Sequence, residues 1–191
     1  MNFKEVETKY RAVDIKLQDF VAIAESFKPV KIENVSGYDY YHVKGEDEFI
    51  RHRDGNKPEL TLKRKTKDGN NFVRHETNLP ISQSVPLEVV DNFCKELGFQ
   101  KNFAVFKTCH IYWYETYDLV YYVVYDENMV ERDRFIEIEM LESCEWESDA
   151  AAWAALQAVE KTLEPLGITA ARRLRLSLFE MFRKKPAAPS A

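Results

Sequence analysis

The sequence predicts an α+β fold in which a closed eight-stranded antiparallel β-barrel encloses a tunnel and helices pack outside it. Three observations lead to this prediction. About eight segments alternate polar and apolar residues, as half-buried strands do. Three or four other segments carry apolar residues at helical spacing, and these stripes need a surface to cover. Charged residues also alternate along several strands, so a closed sheet with helices on its apolar face would gather them inside.

Length and composition favour one domain, over residues 1–183, followed by a disordered tail at residues 184–191. The chain has 191 residues, of which 45% are hydrophobic and 13% aromatic, as expected for a β-rich globular protein. The formal net charge of −5 argues against a nucleic acid-binding surface but allows a local basic pocket. The sequence contains neither a membrane-spanning apolar run nor a secretory signal, which predicts a cytoplasmic protein.

Cysteine and histidine usage indicates neither a disulfide framework nor a zinc site. The three cysteines are widely separated and form no C-x-x-C pair. The four histidines also lack the spacing of metal ligands. We therefore expect reduced cysteines and assign no functional role to the histidines.

The first half of the chain reads as a strand, a helix, a group of strands and a second helix. "EVETKYR" has the period of a strand, and "DIKLQDFVAIAESF" is a helix with Asp14 as its predicted cap. Four β-like runs follow between "KIENVSGYDYYHV" and "FVRHETNLP", separated by turn-forming residues. "PLEVVDNFCKELG" then forms a helix that Gly98 is expected to end.

The second half contains three more strands and two more helices. The strands lie in "KNFAVFKTCHIYWYE", "YDLVYYVVYD" and "DRFIEIEML", which are rich in aromatic and β-branched residues. "SDAAAWAALQAVEKTLEPLG" is a strong helix with Ser148 or Asp149 as cap, and "AARRLRLSLFEMF" is predicted to form a short one.

The alternating charges are the main functional signal. The predicted inward bases are Lys9, Arg11, Arg51, Arg53, Lys63, Lys65, Arg74 and Lys107, and the inward acids are Glu5, Glu7, Glu76, Asp126, Glu137 and Glu139. So many carboxylates in one cavity need a compensating cation, and oxygen ligands favour Mg²⁺ or Mn²⁺. Lysine and arginine are suited to bind phosphate. Alternation by itself fits solvated strand faces with cross-strand ion pairs about equally well.

Several motifs in order along residues 3–180 resemble the CYTH family, the triphosphate tunnel metalloenzymes. "EVETK" resembles the family's E-x-E-x-K signature, "FIRHR" its R-x-R strand and "LTLK" its L-T-x-K strand. "RHE", "FK", "VVYD" and "FIEIE" resemble its later R-x-E, lysine, aspartate and E-x-E strands. The resemblance implies an eight-stranded antiparallel tunnel that binds a triphosphate and a divalent metal, Mg²⁺ or Mn²⁺.

The resemblance also implies roles for individual residues. The implied metal ligands are Glu5, Glu7, Glu76, Asp126, Glu137 and Glu139. The implied phosphate-binding residues are Lys9, Arg51, Arg53, Lys63, Arg74 and Lys107, to which the inward pattern adds Lys65. The expected catalytic group is Glu5, Glu7, Lys9, Glu137 and Glu139. Arg173 or Arg175 resembles the basic residue that the family's C-terminal segment brings to one mouth of the tunnel.

Two departures from the family pattern affect the site. Cys109 stands where the lysine strand often has arginine, and Asn78 replaces the second acid of the R-x-E-x-E strand. A phosphate contact and a metal ligand are therefore expected to be missing.

The leading functional hypothesis is a metal-dependent triphosphatase acting on inorganic triphosphate or a related triphosphate. Nucleoside triphosphates and thiamine triphosphate remain open as substrates. The alternatives are a class IV-type adenylate cyclase, which makes cyclic AMP and pyrophosphate from ATP, and a catalytically weak triphosphate-binding module. Homodimers are common in the family, although the sequence shows no interface stripe.

Overall fold

A computed structural model gives the fold and describes residues 3–46, 48–64, 73–141 and 143–183, without the side chains of residues 3–5 and 73–75. The strands are β1 (Phe3–Arg11), β2 (Lys31–Lys44), β3 (Glu48–Gly55), β4 (Glu59–Arg64), β5 (Val73–Pro80), β6 (Gln100–Trp113), β7 (Tyr117–Tyr125), β8 (Glu131–Met140) and β9 (Arg173–Leu174). The helices are α1 (Leu17–Ser26), α2 (Leu87–Glu96), α3 (Asp149–Thr162) and α4 (Leu178–Phe182). No helix in these ranges is long and apolar enough to cross a membrane.

The predicted closed eight-stranded barrel is wrong, because the strands form a single nine-stranded antiparallel sheet in the order β5-β4-β3-β2-β6-β7-β8-β1-β9. β1 pairs along one edge with β8. Its other edge is divided: Phe3–Val6 pair with β5, and Lys9 and Tyr10 pair with β9. Within the described ranges, no single strand therefore runs along the whole of that edge of β1. The sequence prediction fails here because β9, which is only two residues long, lies in a segment whose composition predicts a helix.

The outward side chains of the sheet form the main core under α1 and α3. Phe20 of α1 and Leu156 of α3 are fully buried against Tyr10, Tyr121 and Ile136 of the sheet. All three sheet residues belong to the apolar half of the period-2 pattern, so covering this face leaves the charged half of each strand on the opposite, concave face.

α4 packs differently from the prediction that helices lie outside the sheet. Leu178 and Phe179 are buried in a second core together with inward residues of the strands. The ring of Phe179 stacks on that of Phe49, with 4.5 Å between their centroids. A capping box between Ser177 and Glu180 fixes the start of this short helix. α4 thus covers one end of the concave face.

Two local predictions differ from the structure. Asp14 is not the cap of α1, whose N-cap position is Lys16, because the Asp14 carboxylate accepts a hydrogen bond from Arg172 instead. The predicted C-terminal helix begins only at Leu178, since Arg173–Leu174 are in β9. By contrast, Ser148 is the cap of α3, with its hydroxyl accepting a hydrogen bond from the backbone N–H of Ala151.

Phe179→Ala should lower the free energy of unfolding by about 3–5 kcal/mol, because it removes a ring that is almost fully buried among other aromatic rings. Phe93→Ala on α2 is the matched control: that ring is half exposed, and its loss should change stability by less than about 1 kcal/mol. Urea unfolding followed by circular dichroism measures both values. Equal effects of the two substitutions would contradict the packing described for α4.

Candidate functional site

A cavity of about 470 Å³ lies on the concave face, lined by side chains from β1 to β8 and from α4. Antiparallel strands send every second side chain to this face, so each of these eight strands contributes two to four residues to the wall. The charged residues in its lining are Glu7, Lys9, Arg51, Arg53, Lys57, Glu59, Lys63, Glu76, Lys107, Asp118, Glu137 and Glu139.

One part of the wall is basic and is organised by the buried carboxylate of Asp39. Arg53 donates through Nε to Asp39 Oδ1 at 3.3 Å, and Lys107 forms an ion pair with Asp39 Oδ2. Burial opposes ionisation of Asp39, but Lys107, Arg53 and Arg51 outweigh it and hold the pKa of Asp39 below its usual value. Burial lowers the pKa of Lys107, an effect that Asp39 opposes. The Asp39 carboxylate therefore holds both cations at fixed positions.

A second basic group lies on β3 and β4 around Glu76. Lys63 Nζ is 2.5 Å from Glu76 Oε2, and the Arg51 guanidinium is 4.0 Å from Glu76 Oε1. Arg51 also donates to the Thr61 hydroxyl at 2.8 Å and lies 3.4 Å from Glu59. Burial lowers the pKa of Arg51, but attraction to Asp39 and Glu76 outweighs this effect and raises it above its usual value. Glu76, implied as a metal ligand, thus lies among the cations.

A transverse row of carboxylates forms the other part of the wall. Glu139 pairs in register with Glu7 on one side and with Asp118 on the other, so three adjacent strands each place a carboxylate at the same level. Asp118 is buried, and its Oδ1 has no hydrogen-bond partner among the described residues. Burial, followed by repulsion from Glu137 and Glu7, raises the pKa of Asp118 to about 8.

Lys9 and Glu137, on the neighbouring strands β1 and β8, connect the acidic part of the wall with the basic part. Lys9 Nζ lies 2.7 Å from Glu137 Oε1, which also accepts a hydrogen bond of 2.9 Å from the Tyr122 hydroxyl. Burial and then Glu137 raise the pKa of the Tyr122 phenol well above its usual value. Tyr122 therefore stays protonated and remains a hydrogen-bond donor beside Lys9.

The carboxylate row fits a hard divalent cation by its chemistry. Oxygen ligands suit Mg²⁺ or Mn²⁺, and a cation near Asp118 would satisfy its partnerless oxygen and relieve the repulsion among the acids. The described side chains contain no group of three or more carboxylate, imidazole or thiol groups already gathered around one metal position. Glu5, the first acid of the E-x-E pair, lies outside the described side chains.

The structure brings most of the predicted site residues together. Those that line the cavity are Glu7, Lys9, Arg51, Arg53, Lys63, Glu76, Lys107, Glu137 and Glu139. Asn78 and Cys109, the two residues that depart from the family pattern, also line the cavity. Lys65 lies outside the described residues, and for Arg74 only the backbone is described, in β5 opposite Glu5.

Four predicted residues do not line the cavity. Asp126 lies in a turn, where its carboxylate accepts hydrogen bonds from the backbone N–H groups of residues 128 and 130. Arg173 pairs with Glu160 of α3 on the outer face, and Arg175 is exposed. Arg11, also predicted to point inward, is half exposed and pairs with Asp133 at 2.8 Å.

Sequence reasoning missed Asp118, Asp39 and Tyr122. Asp118 and Asp126 are eight residues apart on or next to β7, so a strict two-residue period places both on the same face. The register shift at Val124/Tyr125 interrupts that period and leaves Asp126 in the turn. The signal that could have identified Asp118 is its place opposite the late E-x-E pair once β7 and β8 are aligned as a hairpin.

His52 lies between Arg51 and Arg53 but points away from the cavity. Its ring stacks on that of Tyr40 at 5.8 Å, and burial lowers its pKa. Because the unfolded chain binds the proton more readily, wild-type stability should decrease as the pH falls below about 6.5. We expect His52→Gln to reduce this decrease, measured by urea unfolding at pH 7.5 and 5.0, without changing activity at pH 7.5. An unchanged pH dependence, or lost activity in a folded variant, would contradict this placement.

Solved structures similar to this one support the fold. A conserved hypothetical protein from Pyrococcus furiosus is 24% identical, with a TM-score of 0.74 over 93% of this chain and 99% of that chain. The PH1012 protein from Pyrococcus horikoshii OT3 is 21% identical, with a TM-score of 0.71 over 94% and 99%. A candidate adenylate cyclase from Vibrio parahaemolyticus is 14% identical, with a TM-score of 0.70 over 95% and 98%. No curated protein matches the chain.

The family comparison agrees with the motifs and with the cavity they line. The CYTH domain matches residues 4–174, which is most of the chain. This range begins in β1 and ends in β9, so it includes every strand of the sheet. The chain belongs to the CYTH family of triphosphate tunnel metalloenzymes.

Proposed function

We propose that the protein is a metal-dependent triphosphatase that hydrolyses inorganic triphosphate or a related triphosphate in the concave cavity. One observation carries the proposal: a single cavity holds a row of carboxylates next to a wall of lysine and arginine side chains. A divalent cation and a polyphosphate are the pair of ligands whose charges complement these two surfaces.

The basic wall is suited to hold the phosphate groups. Lys9, Arg51, Lys63 and Lys107 come from β1, β3, β4 and β6, so they surround the cavity instead of lining one side of it. Their present partners include carboxylates, which keep the cationic ends at fixed positions around the cavity. Preorganised cations of this kind stabilise the charge that develops on phosphoryl oxygens during transfer.

The acidic row is suited to hold the metal. Glu7, Asp118 and Glu139 would bind Mg²⁺ or Mn²⁺ together with Glu5 and Glu137, and Asp118 takes the place that the sequence had given to Asp126. A bound divalent cation supplies further neutralisation of phosphate charge. Tyr122 fixes Glu137 by its hydrogen bond, so Glu137 keeps its place between Lys9 and the carboxylate row.

One assay tests the proposal and separates it from the two alternatives. Purified protein is incubated with inorganic triphosphate, ATP or thiamine triphosphate, each with Mg²⁺ or Mn²⁺, and orthophosphate and cyclic AMP are measured. We expect orthophosphate to form only when the metal is present. Cyclic AMP as the main product would identify a cyclase, and binding without turnover would identify a binding module.

Asp118→Asn should lower kcat/KM by roughly a hundredfold, because it replaces a carboxyl group of the metal-binding row by an amide of nearly the same shape that binds a metal more weakly. Asp126→Asn is the matched control, since that residue lies in a turn outside the cavity and should retain activity. Phosphate release at saturating Mg²⁺ gives both values. A larger loss for Asp126→Asn than for Asp118→Asn would reverse the assignment.

Lys63→Ala should raise KM for triphosphate by about tenfold and weaken the salt dependence of KM, because one buried cation is lost from the wall. Lys95→Ala, at an exposed position on α2, removes the same charge from a surface that does not line the cavity and serves as control. KM is measured at two or more salt concentrations for each variant. Parallel salt dependences for wild type and Lys63→Ala would contradict a phosphate-binding role.

A further inference from the structure

Trp113 lies at the open end of the cavity. β6 runs from Phe103, which packs with Phe179 at the end covered by α4, to Trp113, ten residues or about 33 Å away. At the Trp113 end the lining includes exposed Ser143 and Lys57, whose side chain is 53% exposed. Among the described residues, this end is therefore the one at which a group attached to the phosphate chain can reach solvent.

The indole ring of Trp113 is held in a fixed orientation. Its Nε1–H donates to Glu33 Oε2 at 2.9 Å. Glu33 in turn accepts from Lys57 at 2.7 Å and forms an ion pair of 2.8 Å with Lys31. Hydrogen bonds from Lys31 and Lys57 lower the pKa of Glu33 to about 2, so the Glu33 carboxylate stays ionised at neutral pH and continues to accept the hydrogen bond from Trp113. Because the indole N–H, the one polar group of the ring, already has a partner, the ring can contact a ligand through its aromatic face.

The ring belongs to an apolar strip beside the acidic row. Ile111, Cys109 and Val35 continue the strip along β6 and β2 within the same cavity. Trp113 also pairs in register with Asp118, the end member of the carboxylate row. Inorganic triphosphate has no apolar surface to place against this strip. A triphosphate that carries a flat ring would have its phosphates beside the charged walls and its ring beside the indole.

We propose that Trp113 is a specificity-determining residue that stacks on a planar heteroaromatic group joined to the triphosphate, so that the cavity favours organic over inorganic triphosphates. The inference rests on the proposed function, because the triphosphate must occupy the charged cavity for its ring to reach Trp113. Stacking on an aromatic side chain tolerates different bases, since every base has a π-face. The substrate class is therefore defined by ring planarity and not by one particular base.

Equilibrium binding tests the proposal with two ligands that resist hydrolysis. Calorimetry with Mg²⁺ gives the Kd of β,γ-imido-ATP and of inorganic diimidotriphosphate for wild type, Trp113→Leu and Trp113→Phe. We expect wild type to prefer the nucleotide, and Trp113→Leu to weaken it about tenfold while leaving the inorganic Kd unchanged. Trp113→Phe should retain most of the nucleotide affinity. Trp153→Leu, on α3 and outside the cavity, should change neither Kd.

Three outcomes would overturn the proposal: no preference of wild type for the nucleotide, an unchanged nucleotide Kd in Trp113→Leu, or equal weakening of both ligands. If none of these outcomes is seen, KM values for ATP and thiamine triphosphate distinguish a preference for a neutral base from one for a cationic ring. The proposed function fails by a different result, namely no phosphate release from any triphosphate by the wild type. The two failures are thus read from separate measurements, one of binding and one of turnover.

Discussion

The ion pairs that Asp39 makes with Lys107 and Arg53 are the constraint on which the candidate site depends. β2, β3 and β6 each contribute one member, and the register fixes them: Asp39 lies opposite Arg53, and Gly37 opposite Lys107. Gly37 is also required locally, because a Cβ there would collide with a backbone carbonyl oxygen of β3. Breaking a buried ion pair by removing one member typically destabilises a protein by about 3–5 kcal/mol. The same contacts therefore hold the sheet together and position the cations.

The two faces of the sheet explain how such a charged interior can fold. Tyr10 and Ile136 alternate along their strands with Lys9 and Glu137, so each strand supplies both apolar core and charged cavity. The cores under α1 and α3 supply hydrophobic stabilisation, while ion pairs limit the cost of burying charge on the other face. Phe179 of α4 then excludes solvent at one end. The end where Trp113 lies is lined instead by the exposed residues Lys57 and Ser143.

Much of this arrangement could be predicted from the sequence because it follows from a strict two-residue period. Glu7, Lys9, Glu137 and Glu139 line the cavity as the pattern predicts, since their strands are regular there. Prediction failed where the period is interrupted or where structure depends on distant contacts. The register shift in β7 leaves Asp126 in a turn, which no local pattern reveals.

The C-terminal segment shows the second reason why prediction failed, which is that its structure depends on distant contacts. Arg173 lies in a segment with helical composition, yet it is in β9 because β1 offers a free edge at Lys9 and Tyr10. Its guanidinium then meets Glu160, whose position depends on the docking of α3. Likewise, the partner that orients Trp113 is Glu33, 80 residues away. Contacts of this kind are set by the fold as a whole, so single-sequence patterns do not contain them.

The central claim is that the paired charges of this cavity are arranged for a polyphosphate together with a divalent cation. Thermal denaturation tests it most directly, since a ligand that binds only the folded state raises Tm. Our account predicts a marked rise in Tm with inorganic triphosphate and Mg²⁺ together, and a much smaller rise with sulfate or orthophosphate at the same ionic strength. An equal rise with all three anions, or none with triphosphate and Mg²⁺, would contradict the account.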